Sequence, residues 1–175
     1  MSYYCSFLKL MKKIFIVFAI ILMTSCASKP HIHQYVLENG SSMFFIPASL
    51  WQDRDISAEL DFNFKNDINI KTVCNITITQ KKTTPKSISS LAFVVDSQIY
   101  PLYDTQVLFI DSKNNSVRLT SLLEYNDFIT IMKSDNTLFK LNVNNSVYTC
   151  KPSENYPALR DEFQNNVLSI DQILN

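Results

Sequence analysis

Between residues 56 and 80 the chain alternates apolar and polar side chains with a period of two. Ile56, Ala58, Leu60, Phe62 and Phe64 alternate with Ser57, Glu59, Asp61, Asn63 and Lys65. Thr72 to Gln80 repeats the pattern, with Cys74, Ile76 and Ile78 on one face and Asn75, Thr77 and Thr79 on the other. That period predicts strands with one buried and one wet face. Shorter apolar runs predict further strands at 42–47, 90–95, 98–102, 106–110, 127–132, 137–143 and 147–150. The breaks between them are polar: Lys81 to Lys86, Asp96-Ser97, Asp111 to Asn115, Ser134-Asp135-Asn136 and Asn144-Asn145. Asn and Asp tolerate left-handed backbone and can stand where glycine would otherwise be needed.

Two places carry helical signals. Ser121-Leu122-Leu123-Glu124 fits a capping box, with room for only a turn or two before the next strand. At the C-terminus Leu159, Phe163, Val167, Ile170, Ile173 and Leu174 fall at helical spacing after Pro157, with Asp161 and Glu162 in the first turn. The expected fold is α+β: about eight short, mainly antiparallel strands in a sandwich or meander, and one C-terminal amphipathic helix over 157–174.

The first residues read differently. Lys9, Lys12 and Lys13 precede the ten-residue apolar stretch Ile14–Met23, and Thr24-Ser25-Cys26 follows. A spanning helix needs about 20 apolar residues. A charged start, a short apolar core and small residues at its end instead fit a secretory signal over residues 1–25. Met1 and Met11 would both serve as the start of such a segment. Met23-Thr24-Ser25-Cys26 resembles the lipobox of bacterial lipoproteins, with Ser25 as the small residue and Cys26 as the obligatory cysteine; Met23 departs from the usual leucine. The resemblance covers about 16 residues. It implies cleavage before Cys26 and a diacylglycerol on its sulfur, since the thiolate is the nucleophile that takes the lipid. Two or more acyl chains make a stable membrane anchor. Ala27 and Ser28 lack the aspartate that retains enterobacterial lipoproteins at the inner membrane, which implies the outer membrane. The domain plan is then a signal peptide (1–25), a lipidated tether (26–40) and one β-rich domain (41–175).

Composition narrows the chemistry. Sixteen basic and sixteen acidic side chains cancel, and removal of the signal leaves 13 against 16. That charge offers no attraction to nucleic acid. A single glycine, Gly40, excludes glycine-dependent phosphate loops and the serine nucleophile elbow. The mature chain keeps Cys74 and Cys150 besides Cys26, and two cysteines in an oxidising compartment predict a Cys74–Cys150 disulfide. His31 and His33, the only histidines, lie in the tether. They are too few for a metal site, which takes three or four ligands, and too remote for a Ser-His-Asp or Cys-His system. Asp53-x-Asp55 reads as a turn cap rather than a calcium site. Asp104, Asp111, Glu124 and Glu162 remain available as carboxylates, with nothing to select a pair.

No metal or cofactor is expected. Aromatic residues are the one feature that suggests recognition, with Trp51, Tyr100 and Tyr103 as the candidate surface. The expected protein is a non-enzymatic lipoprotein of the bacterial envelope, held to the membrane through Cys26 and binding a protein or envelope partner. An inhibitor or immunity lipoprotein that neutralises a toxin or an envelope enzyme is the second reading, marked by an acidic or aromatic patch. A carboxylate-dependent hydrolase is the third.

Overall fold

The computed structural model describes residues 31–168 apart from 39, 66 and 68. The expected signal segment, Cys26 and the first residues of the tether lie outside the described residues, as do Ile170, Ile173 and Leu174. Within them the fold is mainly antiparallel β, as the alternation predicts. The strands are β1 (His33–Val36), β2 (Ser42–Asp53), β3 (Ile56–Lys65), β4 (Thr72–Gln80), β5 (Ile88–Val95), β6 (Gln98–Pro101), β7 (Tyr103–Asp111), β8 (Ser116–Leu123), β9 (Thr137–Val143) and β10 (Ser146–Pro152). Helix α1 (Tyr125–Lys133) lies between β8 and β9, and α2 (Asn155–Glu162) follows β10 and continues as a π-helical turn over Phe163–Leu168.

The ten strands build one curled half-barrel sheet, roughly compatible with the expected eight or so antiparallel strands in a sandwich or meander but not identical to it. Strand order along it is β6-β5-β9-β10-β2-β3-β4-β8-β7, with β1 beside β2. The curl follows from connectivity. Strands β6 and β7 sit at opposite ends of this order, yet Leu102 alone separates them in the chain. One residue spans at most about 3.6 Å, so the two ends of the sheet must approach each other there. At another place Gln80 of β4 hydrogen-bonds the Tyr148 hydroxyl of β10 (3.1 Å) and accepts from Asn144 Nδ2 (3.0 Å), again across the curl.

The turns are as the polar breaks predict. Asp96-Ser97 and Asn144-Asn145 are two-residue hairpin loops with both residues at positive φ (48° and 73°, 50° and 64°). This is the type I′ geometry that matches strand twist.

Residues 127–132, expected as a strand, are helical. Tyr125, Phe128, Ile131 and Met132 are the buried side of α1, which is a helical spacing rather than a period of two. Ser121 does not cap this helix; it belongs to β8, and Glu124 occupies the N-cap position without a side-chain cap. The C-terminal helix is confirmed in part: Leu159, Phe163 and Val167 are buried as expected. The tether expectation also needs correcting, because residues 33–36 pair with Ser42–Phe45 of β2.

The core is aromatic. Phe128 of α1 lies 4.9 Å from Phe64, 5.3 Å from Phe62 and 5.4 Å from Phe163, all between ring centroids. Gln164 Nε2 donates to the Met132 carbonyl (3.0 Å), and Arg160 donates to the Ser134 carbonyl (3.3 Å) and pairs with Asp135. These contacts fasten α2 to the C-terminal end of α1.

Candidate functional site

Strand β7 ends the sheet, and its far side meets no strand among the described residues. It joins β8 irregularly. Its register shifts by one residue between Tyr103 and Gln106 and again between Val107 and Phe109, and Asp104 takes a positive φ of 51°. Such bulges bend an edge strand and re-aim its side chains. The first opens a cleft of about 460 Å³ lined by Asp104, Thr105, Gln106, Thr120, Ser121 and Leu122. Thr105 Oγ1 and Ser121 Oγ meet across it at 2.5 Å. The second bulge places Val107 opposite Leu119 and Ile110 opposite Val117, both inward-facing residues of β8, while Phe109 lies opposite Arg118 on the outer face. Even so, Val107, Leu108, Phe109 and Ile110 are 54–57% exposed. Four adjacent large apolar side chains on this edge form the most extended exposed apolar run among the described residues. Edges normally carry lysine, proline, inward charges or bulges that hinder pairing; Gln106–Ile110 carries the bulge but no charge and no proline.

A polar group stands at the start of β7. The Tyr103 hydroxyl donates to Glu124 Oε1 (2.5 Å), Lys71 Nζ lies 3.6 Å from the same oxygen, and Lys71 Nζ sits 4.3 Å from the centre of the Tyr103 ring. Hydrogen bonding to Tyr103 raises the Lys71 pKa, with smaller help from the charges of Glu124 and Asp104. Burial and then the bond to Glu124 raise that of Tyr103. Burial, then the Glu124 charge, raises that of Asp127. The chemical consequence is plain. A charged lysine and a neutral phenol can each donate a proton but not accept one. The group is built to present charge and an aromatic face.

Among the sequence-derived candidates, Tyr103 alone stays at the surface in this cluster. Trp51 is fully buried, with Nε1 donating to Ser49 Oγ (2.9 Å) and its ring against Tyr156, Phe93 and Phe139. Tyr100 is buried as well. Both are therefore core residues, not recognition residues. The polar sequence after Trp51 is misleading because β2 ends two residues later in a tight turn, and alternation still sends Trp51 inward.

Cys74 and Cys150 are free, which overturns the expected disulfide. β4 and β10 are separated along the sheet by β2 and β3, so three strand steps of about 4.8 Å intervene. The residue of β4 that does reach β10 across the curl is Gln80, six positions or about 20 Å along the strand from Cys74. A bridge needs Cα atoms within about 7 Å. Burial pushes the Cys74 thiol far up and the Cys150 thiol to about 12.

The remaining candidates disperse. His31 Nδ1 pairs with Glu162 Oε1 (2.5 Å), which also accepts from the Ile32 amide (3.2 Å), and the His33 ring stacks on Phe45. Both histidines nevertheless stay exposed to solvent. Among the described residues no three His, Cys, Asp or Glu side chains are grouped to hold a metal ion. Asp53 accepts from the Thr149 amide (3.0 Å), while Asp55 faces Lys81 at 3.9 Å, so the two carboxylates serve different partners. Asp111 caps the β7–β8 turn through the Lys113 and Asn114 amides. The β7 cleft, a second cleft of about 300 Å³ beside Asp55 and a third of about 270 Å³ beside Glu162 each hold one carboxylate.

Sequence reasoning missed Lys71, Thr105, Ser121 and the exposure of Val107–Ile110. A continuous apolar run reads as a strand buried on both faces, and only strand order shows that this one is an edge. No family model, curated protein or solved structure matches the chain.

Proposed function

We propose that this chain is a non-enzymatic, lipid-anchored lipoprotein of the bacterial envelope, whose β domain holds a binding edge at the membrane surface. The exposed run Val107–Ile110 on the free edge of β7 carries the binding part of this reading. An edge strand offers unpaired amides and carbonyls, so it captures an extended segment by backbone hydrogen bonds while apolar side chains add affinity. The lipobox-like Met23-Thr24-Ser25-Cys26 supports the anchor. Asp104, Glu124 and Asp127 near Tyr103 favour the inhibitor or immunity version as a second reading, because they supply an acidic and aromatic patch beside the same edge.

Two measurements in the native host test the proposal. Metabolic palmitate labelling and membrane fractionation should both succeed for the native chain and both fail for Cys26→Ser. A photoreactive side chain at Phe109 should yield a discrete cross-linked protein, and one at exposed Ile99 on β6 should not. Labelling that survives Cys26→Ser refutes the anchor, and equal cross-linking at both positions refutes the edge.

A further inference from the structure

We infer that the free edge of β7 is completed by the β7 of a second copy of this chain. The two strands run antiparallel about a two-fold axis between Leu108 and Phe109. This inference rests on the proposed binding edge and names its occupant.

The occupant must do two things. It must supply hydrogen bonds to the unpaired backbone edge and cover four apolar side chains. A lipid surface does the second but leaves the backbone groups unsatisfied, which hydrocarbon penalises heavily. A strand does both. β7 is suited to pair with itself because one register satisfies every position. With Val107 opposite Ile110 and Leu108 opposite Phe109, all four apolar residues meet apolar partners. Val107 and Ile110 already lie opposite inward-facing residues of β8, so this register also joins them on one sheet face, as cross-strand neighbours must be. Asp111 then faces Gln106, and Asp104 of each copy approaches Lys113, just past the end of the other copy's strand. Sliding the register by two residues sets Asp104 against Asp111 in one direction, a like-charge pair at both ends, and in the other sets Leu108 against Asp111 and Val107 against Ser112. Sliding it by one sets inner-face Val107 against outer-face Phe109 in one direction and against Asp111 in the other.

The available area fixes the strength. Four residues of this size, each just over half exposed, present about 400 Å² per copy, a patch typical of interaction sites. With the backbone edges, pairing buries at most about 1,000 Å² in total, the lower end for specific association. Interfaces this small belong to weak, reversible association. A shared membrane surface would favour it by confining both copies.

The test is sedimentation velocity of the full chain in detergent from about 1 to 300 µM, a range that brackets micromolar association. The native chain should pass from monomer to dimer. Val107→Lys and Ile110→Glu, both exposed and so tolerated by the fold, should each weaken dimerisation more than about tenfold, because each buries an unpaired charge. Mixing the two variants should restore a dimer of one copy of each, since the introduced opposite charges face each other only in the stated register. Circular dichroism confirms that both variants fold. A dimer unaffected by either substitution overturns the inference, as does failure of the mixture to associate. A monomer at every concentration also overturns it. In that case a different protein cross-linked at Phe109 leaves the binding edge standing with another occupant, and no adduct removes both.

Discussion

Trp51 offers the sharpest test of how this molecule is built. It is fully buried, its ring centroid lies 4.7 Å from that of Tyr156, 5.8 Å from Phe93 and 6.4 Å from Phe139, and Nε1 donates to Ser49 Oγ. It thus joins β2 to β5, β9 and α2. Trp51→Ala removes the ring and leaves a cavity, for which large-to-small core changes cost about 3–5 kcal/mol. Edge-to-face aromatic pairs carry about 0.5–1.5 kcal/mol beyond area, already part of that range, so the upper half is expected here. Trp51→Phe keeps an aromatic ring and loses the indole hydrogen bond and part of the volume, for about 1–2 kcal/mol. Ser49→Ala leaves a buried indole N–H unpaired, for about 1–3 kcal/mol. Ser49→Ala and Trp51→Phe together should cost less than their sum, because the bond is removed once. Urea unfolding followed by far-UV circular dichroism measures all four. Domains of this size hold only about 5–15 kcal/mol, so Trp51→Ala should shift the midpoint strongly at unchanged slope. A cost below about 1 kcal/mol, the range of an exposed side chain, would refute the burial and restore Trp51 as a surface residue.

Further outcomes follow from other sites. Both cysteines should resist alkylation at pH 8 in the folded protein and react once it is unfolded without reductant. A Cys74–Cys150 peptide in a non-reducing digest would contradict this. Arg118 bonds Asp61 Oδ2 at 2.5 Å and Thr77 Oγ1 at 2.7 Å on the outer face, and Asn75 donates to Asp61 Oδ1 (2.7 Å). Because Asp61 is only 6% exposed, Arg118→Leu should cost about 2–3 kcal/mol and remain costly in 1 M salt; loss of the effect in salt would mark an ordinary surface pair. Burial pushes the Tyr156 phenol to about 12 from its usual 10.0. Between those values the unfolded chain has lost a proton that the folded chain retains, so stability falls as pH rises. The loss is about 2–3 kcal/mol from pH 10 to 12, and it should be absent from Tyr156→Phe in the same denaturant titration.

Much of the local structure is legible in the chain alone. Burial of every second residue in β3 and β4, the Asp96-Ser97 and Asn144-Asn145 turns, and the inward stripe Leu159–Phe163–Val167 follow from periodicity and from which residues tolerate positive φ. Those are contacts within a few residues, where side-chain direction is fixed by local geometry. Tertiary structure decided the rest. Phe128–Met132 is short enough to suit a strand or a helix, and the buried aromatic surface formed by Phe62, Phe64 and Phe163 selects the helix. Cysteine parity says nothing about distance, and strand order keeps Cys74 from Cys150. The apolar run of β7 is identical in kind to a central strand. It became an exposed edge only because Leu102 carries the chain from one end of the curled sheet to the other, a relation between strands far apart in the chain that no local pattern encodes.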